Sequence, residues 1–132
     1  MREIGINNQT ELKIDKKFVR MIARSVLREK KINEYELSIV FVENEIIRDL
    51  NKKYRNQDKA TDVLSFEGDK KIFLGEIFIA PNVIKQRSEH FQDDLKSVLI
   101  HAILHLLGYD HIKQSDRVIM REEEKRIEKL NN

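Results

Sequence analysis

There is no cysteine in this chain of 132 residues, so it has no disulfide framework, and a zinc site closed by thiolates is excluded. No apolar run reaches the ~18 residues that a membrane-spanning helix requires, and no charged-then-apolar leader opens the chain. Neither secretion nor a membrane partner is therefore expected, and zero cysteines suit a reducing cytoplasm. Internal repeats, low-complexity tracts and linker-like stretches are also absent. One domain over residues 1–132 is the expectation, large enough to bury a core without a metal. A strong charge of one sign is missing too: the formal net charge is only +2, although 36% of residues are charged.

What is present is concentrated. Three of the four histidines fall in one window, His101-Ala-Ile-Leu-His105-Leu-Leu-Gly-Tyr-Asp-His111. His101 and His105 are four apart, so on a helix they share a face one turn apart, with leucine and isoleucine filling the positions between. Gly108 predicts the helix end, since glycine accepts the left-handed backbone of a C-terminal cap, and the turn brings His111 back toward the pair. Three imidazoles with no fourth protein ligand describe a metal site with an open position, the pattern of a catalytic zinc. His90 lies eleven residues before His101 and reads as a surface residue, not as a fourth ligand. The glutamate that serves as base in H-E-x-x-H peptidases is replaced by Ala102, so peptide hydrolysis by that route is not expected.

Hydrophobic periodicity places these residues in an α+β frame. Strands are expected at Arg2–Asn7, Tyr35–Val42, Val63–Phe66 and Ile72–Ala80, the last apolar enough to be central. Helices are expected from an Asp15 cap to about Lys30, from Glu43 to about Tyr54 with Ile46, Ile47 and Leu50 inward, after Pro81 to Arg87, and from Phe91 to Leu107. A last helix, roughly Ser115–Leu130, carries Ile119, Met120, Glu123, Ile127 and Leu130 at helical spacing. The result is a mixed sheet of about four strands covered by helices, with the histidine helix followed by a C-terminal helix.

Charge is uneven along this frame. Eight basic residues lie between Glu11 and Lys31, and Arg48, Lys52, Lys53, Arg55 and Lys59 form a second cluster. These read as solvated helix faces; attraction of a polyanion is the alternative. Glu122-Glu123-Glu124 reads as a solvated face as well. Between the helix at Glu43 and the third strand, Asn51 to Phe66 places Arg55, Thr61, Asp62 and Ser65 around a loop, where function concentrates more than core packing does. Ordinary turn chemistry, with Arg55 paired to a surface acid, is the plainer account of each residue alone.

Together the two stretches resemble the YbeY family of bacterial zinc-dependent endoribonucleases. The chain carries Asn51, Tyr54, Arg55, Asp58 and Thr61-Asp-Val-Leu-Ser-Phe66, then Leu74-Gly-Glu-Ile77, then the histidine window, in family order and spacing over nearly its whole length. Ala60 and Glu67 stand where the family usually has proline, Glu76 where it has aspartate, and Ala102 where it has glycine; none removes a ligand. The resemblance implies one zinc per chain on His101, His105 and His111, with Arg55 as the catalytic arginine at the scissile phosphate. It implies single-stranded RNA as substrate and a role in maturing the 3′ end of 16S rRNA and in ribosome quality control. Ribosomal proteins are further partners in this reading, and no DNA is expected. Asp110 is open between orienting a ligand histidine and shaping the turn. A zinc hydrolase of a small ester, amide or phosphate, and a non-catalytic zinc-stabilised assembly factor, are the competing readings.

Overall fold

The computed structural model describes residues 1–69, 71–109 and 114–130. Four strands, β1 (Arg2–Asn8), β2 (Tyr35–Phe41), β3 (Val63–Glu67) and β4 (Phe73–Ile79), form one sheet in the order β1-β2-β4-β3. The first three strands in that order are parallel, and β3 runs antiparallel to β4 at the edge, so the sheet is mixed and the class is α+β. β4 is interior, as its apolar run requires, with Leu74, Ile77 and Ile79 buried.

Five helices surround the sheet among the described residues: α1 (Lys16–Glu29), α2 (Asn44–Arg55), α3 (Pro81–Arg87), α4 (Phe91–Leu106) and α5 (Gln114–Leu130). α1 begins because the Asp15 carboxylate accepts a hydrogen bond from the Phe18 amide at 3.1 Å. It buries Val19, Ile22, Ala23, Val26 and Leu27, a stripe at helical spacing. That stripe packs with Leu37, Ile39 and Phe41 of β2, with Ile77 and Ile79 of β4 and with Leu99 and Ile103 of α4 into the main core. Each such side chain removed from water contributes about 1.5–3 kcal/mol. Nearly every inward position of α4 is apolar, which holds the histidine helix rigidly against the sheet.

The other face of the sheet carries a smaller cluster of Val40, Val42, Ile47, Leu64 and Ala80 under α2. Here the expected inward set is corrected. Ile47 is fully buried and Leu50 half-buried, but Ile46 is 47% exposed. The inward stripe of this helix is Ile47, Leu50 and Asn51, and Ile46 lies one residue, about 100°, off it. In α5, Ile127 is buried as expected; the side chains of Ile119, Met120 and Leu130 lie outside the described set.

α4 stops where Gly108 required it to. Gly108 has φ +105°, its amide donates to the His105 carbonyl, and the Tyr109 amide donates to the Leu104 carbonyl. This pair of bonds is the Schellman closure, and it satisfies carbonyls that would otherwise be orphaned beside the histidines.

Candidate metal centre

α4 places His101 and His105 in its last two turns, one turn apart on one side, and both rings are half-buried. His111 and Asp110 lie outside the described residues. Among the described residues, no group of three or more His, Cys, Asp or Glu side chains is gathered as a metal site. Two of the three expected ligands, His101 and His105, lie among the described residues, and their surroundings bear on their fitness as metal donors.

His101 Nδ1 lies 2.7 Å from Glu124 Oε1 on α5. A carboxylate at that distance holds the proton on Nδ1 and makes Nε2 the basic, metal-binding nitrogen of the ring. His105 Nδ1 is buried without a hydrogen-bond partner among the described residues. A neutral polar nitrogen left so costs about 1–3 kcal/mol, which coordination or a ligand-borne partner would relieve. Both observations suit a pair of imidazole donors to a borderline metal such as zinc.

Glu124 corrects the reading of Glu122-Glu123-Glu124 as a plain solvated face. Glu124 is only 21% exposed, and Glu123 forms ion pairs with Lys30, the C-cap of α1, and with Arg126. Lys30 also lies 4.8 Å from the centre of the Tyr109 ring, so it ties the end of α1 to α5 and to the turn after α4. Burial works against its ammonium, but hydrogen bonds to Glu123 and Tyr109 outweigh that and hold its pKa above the ordinary lysine value. α5 is further fixed by Ser97 Oγ donating to Glu128 at 2.8 Å and Lys96 Nζ donating to the Glu128 carbonyl at 3.0 Å. The sequence held one signal for Glu124: it falls three residues before Ile127, on the flank of the apolar stripe.

A cleft of about 300 Å³ opens at this point, lined by Asp62, Val63, Ser97, Val98, His101 and Glu124. The start of β3 therefore meets the histidine helix. Asp62 is not simply a turn former: its Oδ2 accepts from Arg87 at 2.9 Å, while its carbonyl accepts from the Ala80 amide at 2.8 Å. Both bonds brace the rim of the cleft against α3.

Arg55 is exposed and ends α2. The expected surface acid is not its partner. Instead its Nη2 donates to the Ser65 carbonyl at 3.0 Å, and its guanidinium lies 5.6 Å from the centre of the Phe66 ring. The Ser65 carbonyl is available because β3 is an edge strand. Arg55 does not line the His101 cleft; it is anchored two residues, about 7 Å, along the strand that enters it. One of its five N–H groups is used in this anchor, so the fork is positioned with donors remaining.

The loop between Arg55 and the cleft is organised by Asn51, 3% exposed, whose Nδ2 donates to the Lys59 carbonyl at 2.9 Å. Its own carbonyl takes the amides of Asn56 and Gln57, with Asn56 in the left-handed conformation at φ 56°. Arg48 pairs with Asp58 at 2.8 Å, and this hydrogen bond and charge hold the Asp58 carboxyl below its usual range. No helix among the described residues is long and apolar enough to cross a membrane.

Comparison with known proteins covers nearly the whole chain. Residues 5–131 match the family model described as Endoribonuclease YbeY. The chain is 35% identical to Endoribonuclease YbeY of Clostridium botulinum strain Loch Maree, with 96% of this chain and 95% of that protein covered. It is 40% identical to Endoribonuclease YbeY of a Sulfurihydrogenibium species, covering 89% of this chain and 84% of the other. The solution structure of a Thermotoga maritima protein superposes with a TM-score of 0.69 at 28% identity, covering 95% of this chain and 86% of that one.

Proposed function

From the premise that this chain belongs to the YbeY family of endoribonucleases, we propose that it is a zinc-dependent enzyme cutting single-stranded RNA during maturation of the 16S rRNA 3′ end and in ribosome quality control. That it is an RNA-cutting hydrolase follows from the family; the metal, the strand preference and the ribosomal target are the proposal. The whole of residues 1–132 acts as one catalytic domain in this reading. The observation that carries it is the His101–His105 pair on a rigid helix with Glu124 at 2.7 Å behind the first ring.

His101, His105 and His111 would hold one zinc per chain. Zinc supplies a Lewis acid for a phosphoryl oxygen and lowers the pKa of water toward ~7, which removes the need for a glutamate at Ala102. Glu124 fixes the tautomer and orientation of His101, and α4 fixes the spacing of the histidines. Arg55, leaning on Phe66 and tied to Ser65, would present its remaining donors to the scissile phosphate and stabilise charge that builds there. The cleft between β3 and α4 lies beside His101, and the strand to be cut would enter there.

The test is cleavage of a single-stranded RNA bearing the 16S 3′ end beside a matched duplex, with wild type, chelated protein and folded His105→Ala run together. Cutting of the single strand alone, lost in both controls, is expected. Arg55→Ala is expected to lower the single-turnover rate by about 100-fold or more, and Arg55→Lys to recover only part of it, because a point charge does not replace a planar fork. No cutting by folded, metallated wild type would favour the small-substrate hydrolase or the non-catalytic assembly factor.

A further inference from the structure

The outward face of α1 is a continuous cationic trough that the metal-centre reading does not use. Three depressions run along it. One, of about 670 Å³, is lined by Lys13, Lys16, Lys17 and the half-buried Phe91 among others. The next, of about 380 Å³, shares Lys17 and adds Arg20, Met21, Arg24 and Arg28. The third, of about 420 Å³, shares Arg24 and Arg28 and ends at Arg2 and Asn33. Shared linings make the three one path.

Among the lining residues the one acid is Asp15, at the first depression. The Asp15 carboxylate caps α1, and Glu29 pairs with Arg126 of α5. Among the described residues, Lys17, Arg20, Arg24 and Arg28 have no ion pair or side-chain hydrogen bond. Four cations without counter-charges repel one another, which a partner supplying negative charge at regular spacing would relieve. Lys17 to Arg28 spans about 16 Å of helix, the length of roughly five stacked nucleotides at ~3.4 Å each. Phe91 and Met21 interrupt the charges with apolar surface on which bases can lie. Phe91 also begins α4, ten residues or about 15 Å from His101 along that helix.

We propose that this face of α1 is a second RNA-binding tract that holds phosphates of the strand beyond the cleft. The proposal rests on RNA being the substrate. It makes binding length-dependent: a long RNA reaches both tract and cleft, and a short one fills the cleft alone. Lys17→Ala, Arg20→Ala, Arg24→Ala and Arg28→Ala would be combined in one variant; all four sites are exposed or half-buried helix positions where alanine favours the helix.

Fluorescence anisotropy with a long unstructured RNA, over a salt series, is the first readout. The variant is expected to bind about 100-fold more weakly at ~0.1 M salt, with the slope of log K against log salt reduced by about 3. Cleavage of a short oligonucleotide spanning only the cleft is expected to be unchanged, while kcat/KM on the long RNA falls. An unchanged salt slope, or equal losses on short and long RNA, overturns the proposal, as does intact RNA binding with loss of adhesion to an acidic protein surface. Failure of wild type to cleave any RNA would instead count against the nuclease reading, and is separated by the binding measurement, which needs no catalysis.

Discussion

Glu124→Gln and Glu124→Ala perturb the candidate centre without touching a ligand. Glu124 Oε1 stands 2.7 Å from His101 Nδ1, the length of a charge-assisted bond. Such bonds contribute about 1.5–3 kcal/mol when well shielded. Here the side chains are 38% and 21% exposed, so water screens part of that. The lower half of the range applies, and at 1.4 kcal/mol per decade it corresponds to roughly 10–40-fold in zinc affinity. Glu124→Gln keeps an acceptor oxygen and loses the charge, so about tenfold is expected; Glu124→Ala loses both and should reach the upper figure. The fold should survive, because Ile127 and the Ser97–Glu128 bond still dock α5. Competition against a chromophoric zinc chelator measures the affinity, and urea unfolding of the metal-free proteins checks the fold. Glu123→Gln, one residue away and paired with Lys30 and Arg126, is the matched control and should leave zinc affinity alone. If both Glu124 variants bind zinc as tightly as wild type while folded, the carboxylate does not orient a ligand and the reasoning fails.

Two glycines should respond differently to alanine. At Gly75, with φ +147°, a Cβ would lie 2.3 Å from the Phe66 carbonyl oxygen and 2.9 Å from Leu106, so Gly75→Ala should destabilise by about 3–5 kcal/mol in denaturant melts. At Gly108 nothing lies within 4 Å, only the φ of +105° resists, and about 1–2 kcal/mol is expected; equal losses at the two would refute this distinction. Asn51→Ala should cost about 1–3 kcal/mol by stranding the Lys59 carbonyl, and should raise protease sensitivity in the loop before Thr61. Asp58, held low by its hydrogen bond from Arg48, adds stability to that loop above its unfolded pKa near ~4 and loses it as pH falls through its lower folded value. An NMR titration of Asp58 should show that low midpoint and its rise in Arg48→Ala; an unmoved midpoint would count against the pair.

What could be read without a structure was whatever depends on neighbours within a turn or two. The Asp15 cap, the apolar stripe of α1, Pro81 at the start of α3, the shared face of His101 and His105 and the stop at Gly108 are all local bond geometry, and the structure has each where the residues indicated. The interior place of β4 was legible because a strand buried on both faces needs an apolar run. The family motif, spread over the chain, added the expectation of a nuclease that periodicity alone does not contain.

Other features waited on packing. Ile46 is apolar and its type alone points inward, but the rotation of α2 is set by which residues meet Val40 and Leu64 across the sheet. Arg55 found the Ser65 carbonyl because β3 turned out to be an edge, a fact of strand order and not of the sequence around Arg55. Glu124 meets His101 across 23 residues, and its place three residues before Ile127 puts it on the flank of the apolar stripe without selecting the ring it meets. The sequence by itself determined the histidine-bearing helix, its phase and its end, since those follow from backbone geometry over a few residues. Only the tertiary structure decided which carboxylate stands behind the histidine and which carbonyl anchors the arginine, because those contacts are the outcome of many weak packing terms that fix how α5 and α2 sit against α4 and β3.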